Sequence, residues 1–410
     1  MAAQQDSLPP IITTLLERGV VMPNPGTVTV DASVLPERIA SGVVLHPGTR
    51  LAGADLSIGP GSSVGAEAPA VLENCRLGHD VSLHGGFFQE SVFLDGSAMG
   101  SGAHVRPGTL LEEQARAAQT VGFKQTLLMP YAVAGSLINF CDALLAGGTS
   151  EKNHSEIGSS YVHFNFTPRG DKATASLFGD VPRGVMLDQR PVFLGGQGGT
   201  VGPARVGFGS VIPAGRVFRG EDDEGGQLLA GEPLQPGREG RAFDPRCYGL
   251  MDAIVRRNLV YLGNILALKA WYSEARSGFM GSDPFRRACY EGALIVLNII
   301  LHERVARLED LAERLPESIA VLGGEGKAAK AQKHFLQAWP GIKGGLEELM
   351  DAPGAVASAE KDSVLVGLEI AAGGGRSYLD SVHTLNAEAK AAGTRWLSGI
   401  VDTVVGLWHA

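Results

Sequence analysis

From about residue 40 to 220, apolar side chains fall on a six-residue beat. Phe93, Met99, Val105 and Leu111 form one run, and Val71, Leu77 and Leu83 another. Leu194, Val206, Ile212 and Phe218 form a third, with Thr200 on the missing count. Four places after the beat the residue is mostly small: Cys75, Val81, Ser97, Ala103, Thr109, Gly198, Ala204 and Ser210, with Arg216 the exception. A period of six is neither the 3.6 of a helix nor the 2 of a simple strand. It fits a solenoid of triangular coils with one short strand on each face. The beat residue then points inward, the small residue fits the crowded corner, and glycine turns it. Coils stacked at strand spacing, about 4.8 Å, hydrogen-bond to one another. The period predicts roughly seven or eight coils. A β-sandwich with glycine-rich turns is the alternative; the pairing of beat with small residue favours the solenoid.

Between about 112 and 190 the beat keeps only partial step, at Leu127 and Val133 and at Ile138 and Leu144. Loops are expected to leave the coil there, and such interruptions are where chemistry is often placed. After Gly240 the period becomes helical. Met251, Ile254, Val255, Leu259, Leu262, Ile265, Leu266 and Leu268 share helical spacing. A second helix is expected after Asp283 as cap and Pro284 in the first turn. Two more are expected over 327–350 and 376–409. The chain thus divides into a leader (1–39) with a short helix in "IITTLLERG", a β-helix domain (40–220), a linker (221–242) and an α-helical domain (243–410). The acidic run "EDDE" in the linker reads as a solvated loop.

Composition narrows the function. The 410 residues carry a net charge of −9, which argues against a general nucleic-acid binder. No stretch of about 18 apolar residues predicts a membrane span. "MAAQQDSLPP" lacks a basic start and an apolar core, so no signal peptide is expected. Cys75, Cys141, Cys247 and Cys289 are scattered, without metal-site spacing. They read as buried reduced thiols, which fits a cytoplasmic setting, and no metal is predicted.

The densest polar stretch of the β half is "TSEKNHSEIGSS", 149–160. An imidazole takes a proton from an attacking amine near neutral pH, so His154 is the candidate base. Asn153 beside it is a candidate donor to a developing oxyanion. Glu156 is a weak candidate to orient the ring, since neighbours on a strand alternate faces. A hydrogen-bonded surface loop is the alternative for the whole stretch. Arg106 sits one place after the beat residue Val105 and therefore points outward, toward a phosphate, a sugar or a surface ion pair. Lys172 and Arg169 in "TPRGDK" form a basic spot suited to phosphate, or a solvated loop. His163, among aromatic residues, reads equally as a core histidine or a ligand contact. Lys124 in "GFKQT" is a weaker candidate.

Three stretches together resemble the hexapeptide-repeat acyltransferases, which form left-handed parallel β-helices. They are "HVRPGTLL" (104–111), "EIGSSYVHFNFTPRGDKAT" (156–174) and the coils from 194 to 218. The likeness is greatest to the acetyltransferase half of the bifunctional uridylyltransferase/acetyltransferases that make UDP-N-acetylglucosamine. It covers about 100–220 well and 40–100 only as generic repeat. It implies a homotrimer with active sites between neighbouring prisms. It further implies acetyl-CoA as co-substrate along the coil edge at Gly195, Gly196 and Ala214, and a polar substrate group on Asn165. The pattern departs from the family at three places. Phe166 stands where the family has tyrosine, Gly196 where it has serine, and Phe140 near the register of its catalytic histidine.

The expected function is transfer of an acyl group from a CoA thioester to an amino sugar or sugar nucleotide. A non-catalytic sugar-nucleotide-binding or scaffold protein of the same fold is the alternative. A nucleotidyltransferase-related protein lacking the nucleotidyltransferase domain is the second alternative, since that domain's Gly-rich loop is not found. "GGEGKAA" (323–329) is not a phosphate-binding loop.

Overall fold

The computed structural model describes residues 8–163, 172–230, 244–352, 358–373 and 375–408. Its helices are α1 (Pro10–Glu17), α2 (Val181–Gly184), α3 (Met251–Glu274), α4 (Pro284–Val321), α5 (Lys327–Asp351), α6 (Ala359–Ala372), α7 (Tyr378–Thr384) and α8 (Ala387–Gly406). The N-terminal part winds as parallel β-solenoid coils, about ten turns in all, and an all-helical region follows. That exceeds the count suggested by the period because pairing starts earlier, with Val21 opposite Val44 and Thr29 opposite Arg50. The chain forms two compact units, Met1–Asn139 with Met280–Val296, and Phe140–Phe279 with Leu297–Ala410.

In the first unit, α1 buries Ile12 and Leu15 and stops before Gly19, whose φ of +87° a side chain would resist. Above it, Val64, Leu83, Met99, Ala117 and Ala134 stack on one face, and all are buried. The offset between partners therefore varies from 16 residues (83 to 99) to 19 (64 to 83). Phe93, Met99, Val105 and Leu111 are each 0 % exposed, as their beat requires. So are the corner residues Cys75, Val81, Ser97 and Thr109. Each fully buried Leu or Phe contributes about 1.5–3 kcal/mol, so the column is the unit's main source of stability.

One corner shows why the repeat needs special residues. Gly61, Asp80, Gly96, Gln114 and Tyr131 follow one another up the coils, with φ of 73°, 55°, 70°, 58° and 67°. These five coils turn this corner in left-handed backbone, which glycine adopts without strain and other residues adopt only when stacking holds them.

The beat shifts by one residue at two places. Leu72 is fully buried while Val71 is half-exposed, and Ala134 lies inside while Val133 is half-exposed. In both cases a corner has changed length, so a fixed count of six lands on the outward neighbour.

The first turns of α4 complete this unit. Asp283 accepts from the backbone N–H groups of Phe285 (2.8 Å) and Arg286 (3.1 Å), and Pro284 takes the first turn, as expected. Burial pushes the Asp283 carboxyl up, but those two donors and His79, 2.7 Å away, hold it below the usual range. Arg286 pairs with Asp95 at 3.0 Å.

In the second unit the coils continue with long excursions. Ile157, Leu194 and Ile212 stack inside one face, and Val162, Thr200 and Phe218 follow one another on another. Thr200 is 0 % exposed, so the missing beat is a hydroxyl in an apolar slot. The acidic run departs from the solvated-loop expectation. Asp222 takes the inward position beyond Val206 and accepts from Ser210 Oγ (2.5 Å) and from the N–H groups of Gly207 and Gly225. Glu221 pairs with Arg256 and Arg257 of α3.

Within this unit, α3 is buried nearly all round and packs on α5 and α8. At Gly263 a Cβ would lie 2.9 Å from the Val401 Cα, so only glycine permits the α3–α8 approach. Polar anchors tie the helices to the coils. Asn264 accepts from Val181 N–H at 2.8 Å, and Asn258 donates to the Ala173 carbonyl at 2.9 Å. Arg304 of α4, 1 % exposed, donates to Asp142 (3.1 Å) and to the Lys172 carbonyl (3.0 Å). The expected helix over 376–409 is two helices, broken at Leu385, and α6 was not anticipated.

Candidate active site

His154 lies on an excursion between two coil strands of the second unit. Gly148–Ser150 pairs antiparallel with Asn153–His154, forming a small hairpin. Its base is fixed by Ser155, fully buried, which donates to the Ala146 carbonyl (2.7 Å) and accepts from Val192 N–H (2.8 Å). Gly147 and Gly148 have φ near +100°, and a Cβ on Gly148 would meet the His154 Cα at 2.6 Å. Two glycines are therefore needed to present this histidine.

The ring is oriented by its own hairpin. Nδ1 is 2.7 Å from the Glu151 carbonyl oxygen, which can only accept. Nδ1 therefore carries the proton, and the lone pair of the neutral ring is on Nε2. Nε2 faces Glu156 Oε2 at 3.8 Å, with the imidazole 26 % exposed. The carboxylate is placed to stabilise the imidazolium that forms on proton uptake. Asn153 is exposed and donates one amide hydrogen to Thr149 Oγ1 at 2.9 Å, which leaves the other for a ligand.

The corner beyond Leu194 brings Gly195, Gly196 and Ala214 together. A Cβ on Gly195 would lie 2.3 Å from the Ala214 nitrogen, and one on Gly158 would lie 2.8 Å from the Gly196 nitrogen. Close stacking of coils dictates glycine at Gly158 and Gly195.

Lys172 is exposed, with its backbone held by Arg304. His163 ends the strand Tyr161–His163, opposite Val201. Asn165, Phe166 and Arg169 lie outside the described residues. Phe140, near the register where the resemblance puts a histidine, is 1 % exposed, with its ring centroid 6.0 Å from that of Phe178.

Arg106 and Lys124 belong to the first unit, on neighbouring coils: Arg106 N–H donates to the Phe123 carbonyl at 2.9 Å. Arg106 is exposed and Lys124 half-buried. Their backbones are pinned by Thr109 Oγ1 on the Arg106 carbonyl (2.9 Å) and Thr126 Oγ1 on that of Lys124 (3.2 Å).

None of the four cysteines is in a disulfide. Cys75, Cys141 and Cys289 are buried, while Cys247 is partly exposed. Burial pushes the Cys75 thiol up to about 11 and the Cys289 thiol higher still, so neither is a nucleophile. Among the described residues, no His, Cys, Asp and Glu cluster could hold a metal ion, and no helix is long and apolar enough to cross a membrane.

Curated relatives share this repeat. The bifunctional protein GlmU of Thermotoga sp. (strain RQ2) is 26 % identical over 235 residues, which is 57 % of this chain and 47 % of that protein. GlmU of Geotalea uraniireducens is 28 % identical over 202 residues, 49 % of this chain and 39 % of the relative. GlmU of Pelobacter propionicus is 27 % identical over 227 residues, 55 % and 44 %. The coils fit the hexapeptide-repeat acetyltransferase half of GlmU. The chain spans about half the length, or less, of these GlmU relatives. No family model matches it.

The Glu151 carbonyl was not foreseen as the group that orients His154. It depends on an antiparallel turn that a parallel repeat does not announce. The glycine pair 147–148 just before the polar stretch was the available signal.

Proposed function

We propose that the protein transfers an acyl group, acetyl in the first instance, from a CoA thioester to the amine of an amino sugar or sugar nucleotide. The observation that carries this reading is the His154 ring, proton fixed on Nδ1 by the Glu151 carbonyl, lone pair on Nε2 beside Glu156. The amine nitrogen attacks the thioester carbonyl carbon; a C–N bond forms and the C–S bond breaks. Nε2 takes the proton the amine loses and returns it to the departing sulfur. The free amide hydrogen of Asn153 stabilises charge on the carbonyl oxygen. Gly195, Gly196 and Ala214 line the path of the thioester arm. On the second unit, Lys172 and Arg169 bind phosphate on the acceptor, while Asn165 and His163 contact its sugar; on the first unit, Arg106 and Lys124 are phosphate-binding candidates in their own right.

By the family resemblance, the protein works in the cytoplasm as a homotrimer. The test is thiol release from acetyl-CoA with glucosamine 1-phosphate, other amino sugars and amino-sugar nucleotides as acceptors. Acceptor-dependent release supports transfer; binding of sugar nucleotide without release under any acceptor overturns it. That second outcome would favour a non-catalytic sugar-nucleotide-binding protein, the reading to which buried Phe140 lends weight.

A further inference from the structure

We propose that the site takes an acyl group of medium chain length, its aliphatic tail lying along a strip of Phe193, Val211 and Leu228 on the second unit. The inference rests on the proposed function for the base and the thioester. It adds the class of acyl group.

Register lays the strip out from the candidate base. Glu156 lies opposite Phe193, Phe193 opposite Val211, and Val211 opposite Leu228. Residues paired on neighbouring coils point to the same face of the sheet. Here that face is the outward one, since Ile157, Leu194 and Ile212, each one residue further on, are buried. Phe193 is 40 %, Val211 36 % and Leu228 70 % exposed. The first rung, Glu156, is the carboxylate 3.8 Å from His154 Nε2. The hairpin that presents His154 is also tied to the chain leading into Phe193. Gly148 N–H donates to the Gln189 carbonyl at 3.1 Å, and Ser155 Oγ accepts from Val192 N–H at 2.8 Å. A thioester carbonyl attacked beside Nε2 therefore stands at the head of an apolar file.

The coil itself does not require apolar side chains on its outward rungs. In the first unit the stacked outward positions Ser63, Ser82, Ala98 and Arg116 are small or polar. Three large apolar residues in file keep contiguous apolar surface in water, which is unfavourable unless a ligand covers it. The dimensions suit a chain. The strip is one side chain wide, and from Glu156 to Leu228 it rises about 14 Å, the reach of an extended chain of about ten carbons. A stable protein interface takes about 800 Å² from each partner, whereas a fully buried aromatic side chain supplies only about 150–250 Å². Three partly exposed side chains fall short of that. Past Glu156 the file carries no charge or hydrogen-bonding side chain, so the tail it fits is aliphatic.

The experiment uses the full chain and acetyl-, butyryl- and decanoyl-CoA. Thiol release is measured with the amino-sugar acceptors, and binding of each thioester is compared with that of free coenzyme A by calorimetry. Decanoyl-CoA is expected to bind about 10-fold or more tightly than acetyl-CoA, since each methylene fully buried gives about 3- to 4-fold and the strip covers one side of the chain. Leu228→Asn, at the far end, should lower the decanoyl-to-butyryl affinity ratio by roughly 3- to 10-fold. Phe193→Asn, at the near end, should lower the advantage of both longer chains over acetyl. Leu228 is the most exposed of the three, so its variant should keep the melting temperature and separate loss of the strip from loss of the fold. Equal affinity for acetyl- and decanoyl-CoA, or a decanoyl preference that both variants leave intact, overturns the strip. A Leu228→Asn chain in which only the oligomeric state changes assigns the face to a second copy and overturns it too. Decanoyl-CoA binding that depends on the strip, without thiol release, would count against the proposed reaction alone. Acetyl transfer with no dependence on chain length would count against the strip alone.

Discussion

The two units treat one repeat in different ways. In the first, coils follow with only small changes in length, and Phe93, Met99, Val105 and Leu111 sit where the beat puts them. In the second, the chain leaves the coil for the His154 hairpin and again for α2 before returning in register at Leu194. Regular coils satisfy their own backbone groups through neighbours above and below. An excursion has no such neighbours and needs glycines and buried anchors instead: Gly147, Gly148 and Ser155 at the hairpin, and Asn264, which accepts from Val181 N–H, at α2. Stability is concentrated in the repeat, and the candidate chemistry is placed where the repeat is broken.

This contrast can be tested at several strengths. The largest effects are expected at buried groups of each kind. Arg304→Ala strands the Asp142 carboxylate in the interior of the second unit and should cost about 3–5 kcal/mol in urea unfolding. Phe93→Ala opens a cavity in the first unit and should cost a similar amount, about 3–5 kcal/mol. If Arg304→Ala proved harmless, the anchor role assigned to that pair would be lost.

A sharper comparison lies within one strand. Leu72→Ala should cost about 2–5 kcal/mol, whereas Val71→Ala should stay near 0.5 kcal/mol. Equal effects would contradict the one-residue shift of the beat. A modest effect is expected at the α4 cap. Asp283→Ala should cost about 1 kcal/mol near neutral pH. The folded carboxyl is held below its unfolded range, so its contribution is present above that range. It disappears as pH falls through the folded value, and wild type and variant should then converge in acid. A gap that widened in acid would reverse the sign.

Much of the architecture was legible because an inward residue every sixth position is a requirement of each coil face. Where corners gain or lose a residue, as before Leu72 and Ala134, counting fails although the packing rule holds. Outward residues follow no such rule. The stack of Phe87 on His104 emerges only from register, since partners 17 residues apart fall off the six-residue count. The orientation of His154 depends on a carbonyl, which sequence does not mark. The acidic residues Glu221 and Asp222 read as solvent-facing because their partners, Arg256 and Ser210, are brought to them by the fold.

The most direct test of the account is acceptor-dependent thiol release from acetyl-CoA by the wild type and by His154→Ala and Glu156→Gln. The account predicts that His154→Ala lowers kcat by about 10²- to 10⁴-fold with little change in melting temperature. Glu156→Gln should lower kcat less. Turnover by His154→Ala equal to that of the wild type would contradict the assignment of the hairpin imidazole as the base.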